Sequence, residues 1–216
     1  MKDVILFPFG GNAREAVIAI LALNSIEPTW NILGFIDDNA DLHGKECCGF
    51  KVLGGRDKLS EFQSAKILAV PGNPGNFIMR RKIISRLGVA RDRFIAVIDP
   101  SCRIATDSDI GVNTLIMGNV TISCSVVIGD HCVILPNTVI SHDSKIEDYS
   151  LVGSNVSISG SCSIGSNCYI GSGSRIRENV KIKSFSLIGI GSCVIKDVPE
   201  SVTVAGNPAR VLRKKF

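Results

Sequence analysis

The sequence predicts two joined folds: a small parallel α/β sheet over residues 1–98 and a parallel β-helix over residues 99–216. Two observations predict the β-helix. From Ile104 to Val194, sixteen aliphatic residues recur six apart without a break, all Ile except Val152 and Val194. Two positions before each stands a small or β-branched residue, such as Cys102, Thr114, Val120, Cys132, Ser144 or Cys168. A third observation predicts the first fold. Short apolar runs rich in Ile, Val and Leu alternate with helical segments along residues 1–98.

A period of six fits neither a helix nor a simple alternating strand. It fits a hexapeptide β-helix, in which each repeat is one short strand plus a corner. Three repeats close one triangular coil, so sixteen repeats give about five coils. Successive coils pair through their backbones at about 4.8 Å, and each buries its neighbour's Ile layer. Gly follows the aliphatic residue at Gly111, Gly129, Gly153, Gly165, Gly171 and Gly189, where a tight turn is expected.

Ahead of the repeats, Val4–Phe7 reads as a buried strand running into Gly10-Gly11-Asn12. A helix is expected from Ala13 to Asn24, with Asn12 as N-cap and Glu15 completing a capping box. Strand, glycine turn and helix N-terminus together form either an anion cradle or a plain tight turn. A second strand, Asn31–Ile36, ends in Asp37-Asp38, which reads as a ribose-binding pair or as a solvated strand end. An edge strand over residues 47–53, a short helix over 56–62 and a buried strand over 65–70 follow. The loop Pro71-Gly72-Asn73-Pro74-Gly75-Asn76 leads to a helix over 77–87, and residues 94–98 are expected to close the sheet. Alternating β and α elements imply a Rossmann-like parallel sheet. Its loops at 10–12, 37–38 and 71–76 then share the edge where such sheets bind ligands.

With 45% hydrophobic and 20% charged residues, the composition describes an ordered protein. No apolar run approaches the ~20 residues of a membrane span, and the first residues lack a signal-peptide pattern, so a cytoplasmic location is expected. Cys102, Cys132, Cys162 and Cys168 occupy the small-residue position and read as reduced fillers. No Cys or His spacing points to a metal. Residues 101–159 hold six acidic and two basic side chains, and residues 160–216 hold nine basic and three acidic ones. The later coils therefore suit a polyanionic ligand, although a solvated surface with a basic tail explains the same charges. Nucleic acid is disfavoured because no aromatic residues interleave with this charge.

An α/β unit, an unbroken hexapeptide array and then Gly206-Asn207-Pro208-Ala209-Arg210 resemble the hexapeptide-repeat sugar O- and N-acetyltransferases, whose β-helix is left-handed. The family includes sialic-acid O-acetyltransferases and N-acetyltransferases of UDP-linked 4-amino sugars. The resemblance implies acetyl-CoA as co-substrate, no metal, and a homotrimer with the cofactor between subunits. It implies His142 as general base and Asp143 as its partner, in the stretch Ser141-His142-Asp143. Imidazole titrates near pH 6.5 and suits such proton transfer. Counting one 18-residue coil onward from His142 reaches Gly160, whose missing side chain leaves room for an acyl group and whose N–H could hold an oxyanion; a corner glycine is the plainer reading. Cofactor contacts are implied at Gly160, Gly171, Ser172, Gly189, Ile190 and Gly191. Leu151 stands where some relatives place a second His beside the acetyl group. Nucleotide-sugar contacts are implied at Gly10, Gly11, Asn12, Asp37, Asp38, Gly72 and Asn73, with Gly75-Asn76 as the alternative to the last pair.

The expected reaction is transfer of acetyl to the 4-amino group of a UDP-, dTDP- or GDP-activated deoxy sugar, with sugar O-acetylation as the alternative. A β-helical zinc hydratase needs three converging imidazoles, and this β-helix contains only His131 and His142. His131 reads as an outward, inert side chain. A β-helix acting purely as an oligomerisation scaffold remains the non-enzymatic alternative.

Overall fold

The structure is a computed structural model that describes residues 1–214. It opens with β1 (Lys2–Phe7), α1 (Gly11–Ile26) and β2 (Trp30–Ile36). After these come β3 (Glu46–Cys47), β4 (Phe50–Gly54), β5 (Lys66–Ala69) and α2 (Arg80–Ser85). The sheet order is β3-β4-β2-β1-β5, parallel except for β3. The helix α1 lays Ala13, Ala16, Val17 and Ile20 against Val4, Leu6, Ile32 and Phe35.

Several expected elements differ in detail. The edge strand expected over 47–53 is a hairpin, β3–β4, because Cys48 and Gly49 both adopt positive φ (53° and 82°) and turn the chain back. The helix expected over 56–62 is a 3₁₀ turn at Arg56–Ser60. The one expected over 77–87 is a 3₁₀ turn at Phe77–Met79 followed by α2. Residues 94–98 do not close the sheet. Phe94 bridges Ile67, but Val97–Ile98 pair with Leu115–Ile116 and so start the β-helix.

The β-helix is the left-handed, hexapeptide-repeat kind. Its two-residue strands stack in parallel on the strand eighteen residues later, forming three faces. Face I carries the strands beginning at Val97, Leu115, Val133, Leu151, Tyr169 and Leu187, and ends in the hairpin of Val202–Gly206 and Ala209–Lys214. Face II carries those beginning at Arg103, Thr121, Val139, Ser157, Arg175 and Cys193. Face III carries those beginning at Asp109, Val127, Lys145, Ser163 and Lys181. From Ile116 to Val194 the aliphatic residues are buried in one continuous core, each worth about 2–5 kcal/mol by the usual cost of truncating a buried Ile to Ala.

The small residues do more than fill corners. From Cys102 to Ser174 each hydroxyl or thiol donates to a carbonyl fifteen residues on, among them Ser108 to Ser123 O at 2.7 Å, Thr138 to Gly153 O at 2.8 Å, Ser150 to Gly165 O at 2.9 Å and Cys162 to Arg177 O at 3.1 Å. Several also accept an N–H from the next coil, as Ser150 Oγ does from Cys168 N at 3.0 Å. Burial pushes the Cys132 and Cys168 thiols up to about 12, which fits inert donors.

The glycines after the aliphatic residues serve close packing rather than turn geometry. Positive φ falls elsewhere, every six residues from Asn113 through His131, Asp143 and Tyr149 to Gly191. A Cβ on Gly153 would stand 2.5 Å from Ser172 N, and one on Gly165 2.6 Å from Ser184 N. Coil-to-coil backbone approach excludes a side chain there.

Face I is apolar on its outside too. Leu115, Met117, Val133 and Leu151 join the core under α1 and the small sheet, so the N-terminal unit rides on this one face. Gly153→Ala should lower stability by about 1–3 kcal/mol, the range for overpacking. Gly11→Ala, whose Cβ would meet nothing within 4 Å, should leave it nearly unchanged. Urea melts of both variants check this.

Candidate active site

The strand-end loops of the small sheet enclose a cleft of about 470 Å³. Gly10, Gly11 and Asn12 line it from the β1–α1 turn, Asp37 and Asp38 from the end of β2, and Pro71, Gly72, Asn73 and Asn76 from the loop after β5. Leu135, Leu151 and Tyr169 of face I form its other wall. All seven residues expected on the nucleotide side are thus brought together. Of the alternative pair, Asn76 reaches the cleft and Gly75 does not line it.

Asn12 is not the helix cap. Gly10 holds that position without a side-chain bond. One residue inside the helix, Asn12 donates its amide to Val70 O (3.1 Å) and Gly72 O (3.3 Å), tying two cleft loops together. Asp37 accepts from Phe9 N and Asn39 N, both at 2.9 Å. Asp38 is paired with Arg56, whose Nε lies 3.0 Å from Oδ1. The hydrogen bonds from Arg56 hold the Asp38 carboxyl below its usual range. Each carboxylate retains lone pairs for a ligand hydroxyl.

Two buried residues that lie behind the 71–76 loop, neither of them lining the cleft, were not expected from the sequence. Arg80 is fully buried and bonds only to carbonyls: Tyr149 O at 2.8 Å, His131 O at 2.5 Å, and Pro71 O. It pins the 71–76 loop to the β-helix, and its guanidinium fills the space beside Gly72, where a Cβ would lie 2.8 Å from Nη1. Burial pushes it down to about 10, so it stays charged at neutral pH.

His131, expected to point outward, is buried because its corner meets β5 and Phe94. Its ring stacks on Tyr149 at 4.6 Å and meets Phe94 edge-on at 5.2 Å. Asn113 is oriented by Ala69, accepting from Ala69 N and donating to Ala69 O, both at 2.7 Å. It must therefore also donate to His131 Nδ1, at 2.9 Å, which leaves the neutral ring's proton on Nε2. A ring held this way is no free metal ligand. Among the described residues no group of three or more His, Cys, Asp or Glu side chains is placed to hold a metal.

His142 occupies the corner between faces II and III, exposed, with Nδ1 2.7 Å from Asp143 Oδ2. Asp143 takes the positive-φ corner position (59°), which turns its carboxylate back onto the ring. Gly160 stacks directly above. A Cβ there would lie 2.6 Å from His142 Nε2 and Cε1, so the ring itself takes the space that was expected to admit an acyl group. Cys124, exposed, stands in the same register one coil below.

Gly171, Ser172, Gly189, Ile190 and Gly191 lie at the corner between faces I and II. Gly171 and Gly189 are packed against the next coil, with Cβ distances of 2.6 Å to Ile190 N and 2.7 Å to Ala205 Cβ. Ile190 is 81% exposed, an apolar side chain free for a ligand or a second copy. Leu151, with 2% exposure, belongs to the cleft wall on face I, a different face from the His142 corner.

In a triangular prism the II/III corner lies opposite face I. The cleft and the His142 of the same chain are therefore on opposite sides of the β-helix.

A family model described as the GMPPB C-terminal domain matches residues 95–185, the larger part of the β-helix. Solved structures match far more of the chain. The acetyltransferase domain of PglB from Neisseria gonorrhoeae FA1090 superposes with a TM-score of 0.85 at 24% identity, covering 98% of this chain and 100% of that one. PerB from Caulobacter crescentus, solved with CoA and GDP-perosamine, gives 0.84 at 23% identity, covering 99% and 98%. WeeI from Acinetobacter baumannii AYE gives 0.80 at 25% identity, covering 98% and 100%. This chain has their two-part fold. No curated protein sequence matches it. No helix among the described residues is long and apolar enough to cross a membrane.

Burial lowers the affinity of His131 for protons, outweighing the opposing pull of Asp130. Between its folded value and the unfolded value near 6.5, the unfolded chain binds the extra proton, so stability falls as pH drops through that window. His131→Gln should flatten this part of the curve. Thermal melts from pH 8 to 5.5 should show wild type losing more Tm than the variant, and parallel curves would contradict it.

Proposed function

We propose that the protein is an acetyl-CoA-dependent N-acetyltransferase that modifies the 4-amino group of a nucleotide-activated deoxy sugar. The observation that carries this reading is the His142–Asp143 pair at 2.7 Å, stacked on Gly160, in a chain that also presents a 470 Å³ cleft at its sheet edge. The likeness to PglB's acetyltransferase domain and to PerB, crystallised with CoA and GDP-perosamine, supports it.

The nucleotide sits in the cleft. Its phosphates face the N-terminus of α1, where unpaired N–H groups and the helix dipole favour anions. Its ribose or base donors face Asp37 and Asp38. The sugar amine attacks the thioester carbonyl of acetyl-CoA as His142 Nε2 removes its proton. Asp143 fixes the tautomer by accepting from Nδ1 and stabilises the imidazolium. Collapse of the tetrahedral adduct breaks the C–S bond, and the CoA sulfur leaves with the proton that His142 returns. The acetyl donor lies along the basic later coils, at Gly171-Ser172 and Gly189-Ile190-Gly191. Because cleft and base lie on opposite sides of one chain, the site assembles between copies in a homotrimer. Eight free cysteines fit a reducing compartment, the cytoplasm.

His142→Ala should lower kcat by roughly 10²–10⁴ while acetyl-CoA still binds within a few fold, and Asp143→Asn should cost less. Steady-state kinetics beside calorimetric CoA titration test both. Near-wild-type turnover in His142→Ala would remove the base. Gly11→Val should raise KM for the nucleotide sugar with little change for acetyl-CoA. Loss of CoA binding in that folded variant would overturn the division between the two units.

A further inference from the structure

Six of the eight cysteines belong to the β-helix, and the other two, Cys47 and Cys48, are adjacent at the tip of the β3–β4 hairpin. In an extended strand, neighbouring side chains point to opposite faces. Here Cys48 is in the left-handed region at φ 53°, with Gly49 following at 82°, and the alternation is broken. Both sulfurs come to one side, 3.7 Å apart. Cys48 is exposed, and Cys47 is half-buried, paired across the hairpin with Phe50 and packed against the core under α1. Desolvation, together with the contact to Cys48, raises the Cys47 pKa, so this sulfur stays a thiol at neutral pH.

The geometry disfavours a direct disulfide. Adjacent Cα atoms are about 3.8 Å apart, below the roughly 4.4–6.8 Å that a relaxed disulfide spans. A single soft atom bonded to both sulfurs needs no such contraction, and paired thiolates select soft centres.

We propose that Cys47 and Cys48 form a chelating dithiol site for trivalent thiophiles of the organoarsenical class. The reaction with an arsine oxide is a condensation. Two As–S bonds form, the As–O bond is lost, and both thiol protons leave with the oxygen as one water. Arsenic remains trivalent, and no oxidant is required. The site is separate from the cleft and from the His142 corner, so it does not depend on the proposed transferase activity.

The test is intact-mass analysis of the native full chain titrated with phenylarsine oxide. One adduct per chain is expected. It should survive excess glutathione and be removed by 2,3-dimercaptopropanol, because chelation raises affinity by about 10² or more over one thiol. Cys48→Ser, at an exposed position that leaves the fold intact, should abolish this glutathione-resistant adduct. So should Cys47→Ser, while Cys124→Ser should retain it. An unmodified wild type, an adduct stripped by glutathione, or one that persists in Cys48→Ser would overturn the proposal.

Discussion

The structure depends on one constraint: each backbone turn must settle on the turn eighteen residues away with no slip. The pairing of Thr121 with Val139 and of Val139 with Ser157 repeats along every face. The interior Ile column, the hydroxyl and thiol ladder in the corners and the glycines between coils all presuppose it. A one-residue insertion would expose Ile and bury Lys145 or Asp143, since the side-chain period of a strand is two. The left-handed corner residues are the cost of each sharp bend. Asn, Asp and Gly carry most of them, while His131, Tyr149 and Phe185 take the same conformation. Packing of the surrounding coils holds these bulkier residues there.

The same register places the chemistry. Because the coils are triangular, giving the N-terminal unit one face automatically puts the opposite corner on the far side. Face I is committed by its outer residues Leu115, Val133 and Leu151, and by Arg80, which fastens the cleft loop to the carbonyls of His131 and Tyr149. The cleft is therefore rigidly mounted on the β-helix. A buried arginine with carbonyl partners alone is costly to break, because its charge would then be left uncompensated.

The β-helix was legible almost completely in the sequence, down to the stacking of Gly160 on His142, because a strict period converts directly into geometry. The face that carries the N-terminal unit is legible too, in its outward residues. The residue before each third aliphatic position is Leu115, Val133, Leu151, Tyr169 and Leu187, apolar on the outside where other faces show Arg103, Lys145 or Ser157. The glycine role was misread because turn geometry and close approach both call for glycine, and spacing alone does not separate them. Arg80 left no signal at all. It sits in an Arg-Arg-Lys run that reads as a solvated helix face, and only the tertiary meeting of loop and coil buries it. Asn12 was misassigned because a capping-box pattern is local, whereas its amide answers carbonyls nearly sixty residues away.

In the proposed assembly, one active site takes its cleft from one copy and its base from another. Subunit complementation tests it most directly. Chains carrying Gly11→Val and chains carrying His142→Ala, co-expressed at equal levels with separate tags and isolated as mixed trimers, each lack one half of the site. If the halves come from different copies, one of the three sites in each mixed trimer, about a third, pairs an open cleft with an intact imidazole. Acetyl transfer should then return to a comparable fraction of the wild-type rate, far above either homotrimer. Mixed trimers no more active than the two parents would place cleft and base within one chain and contradict the account.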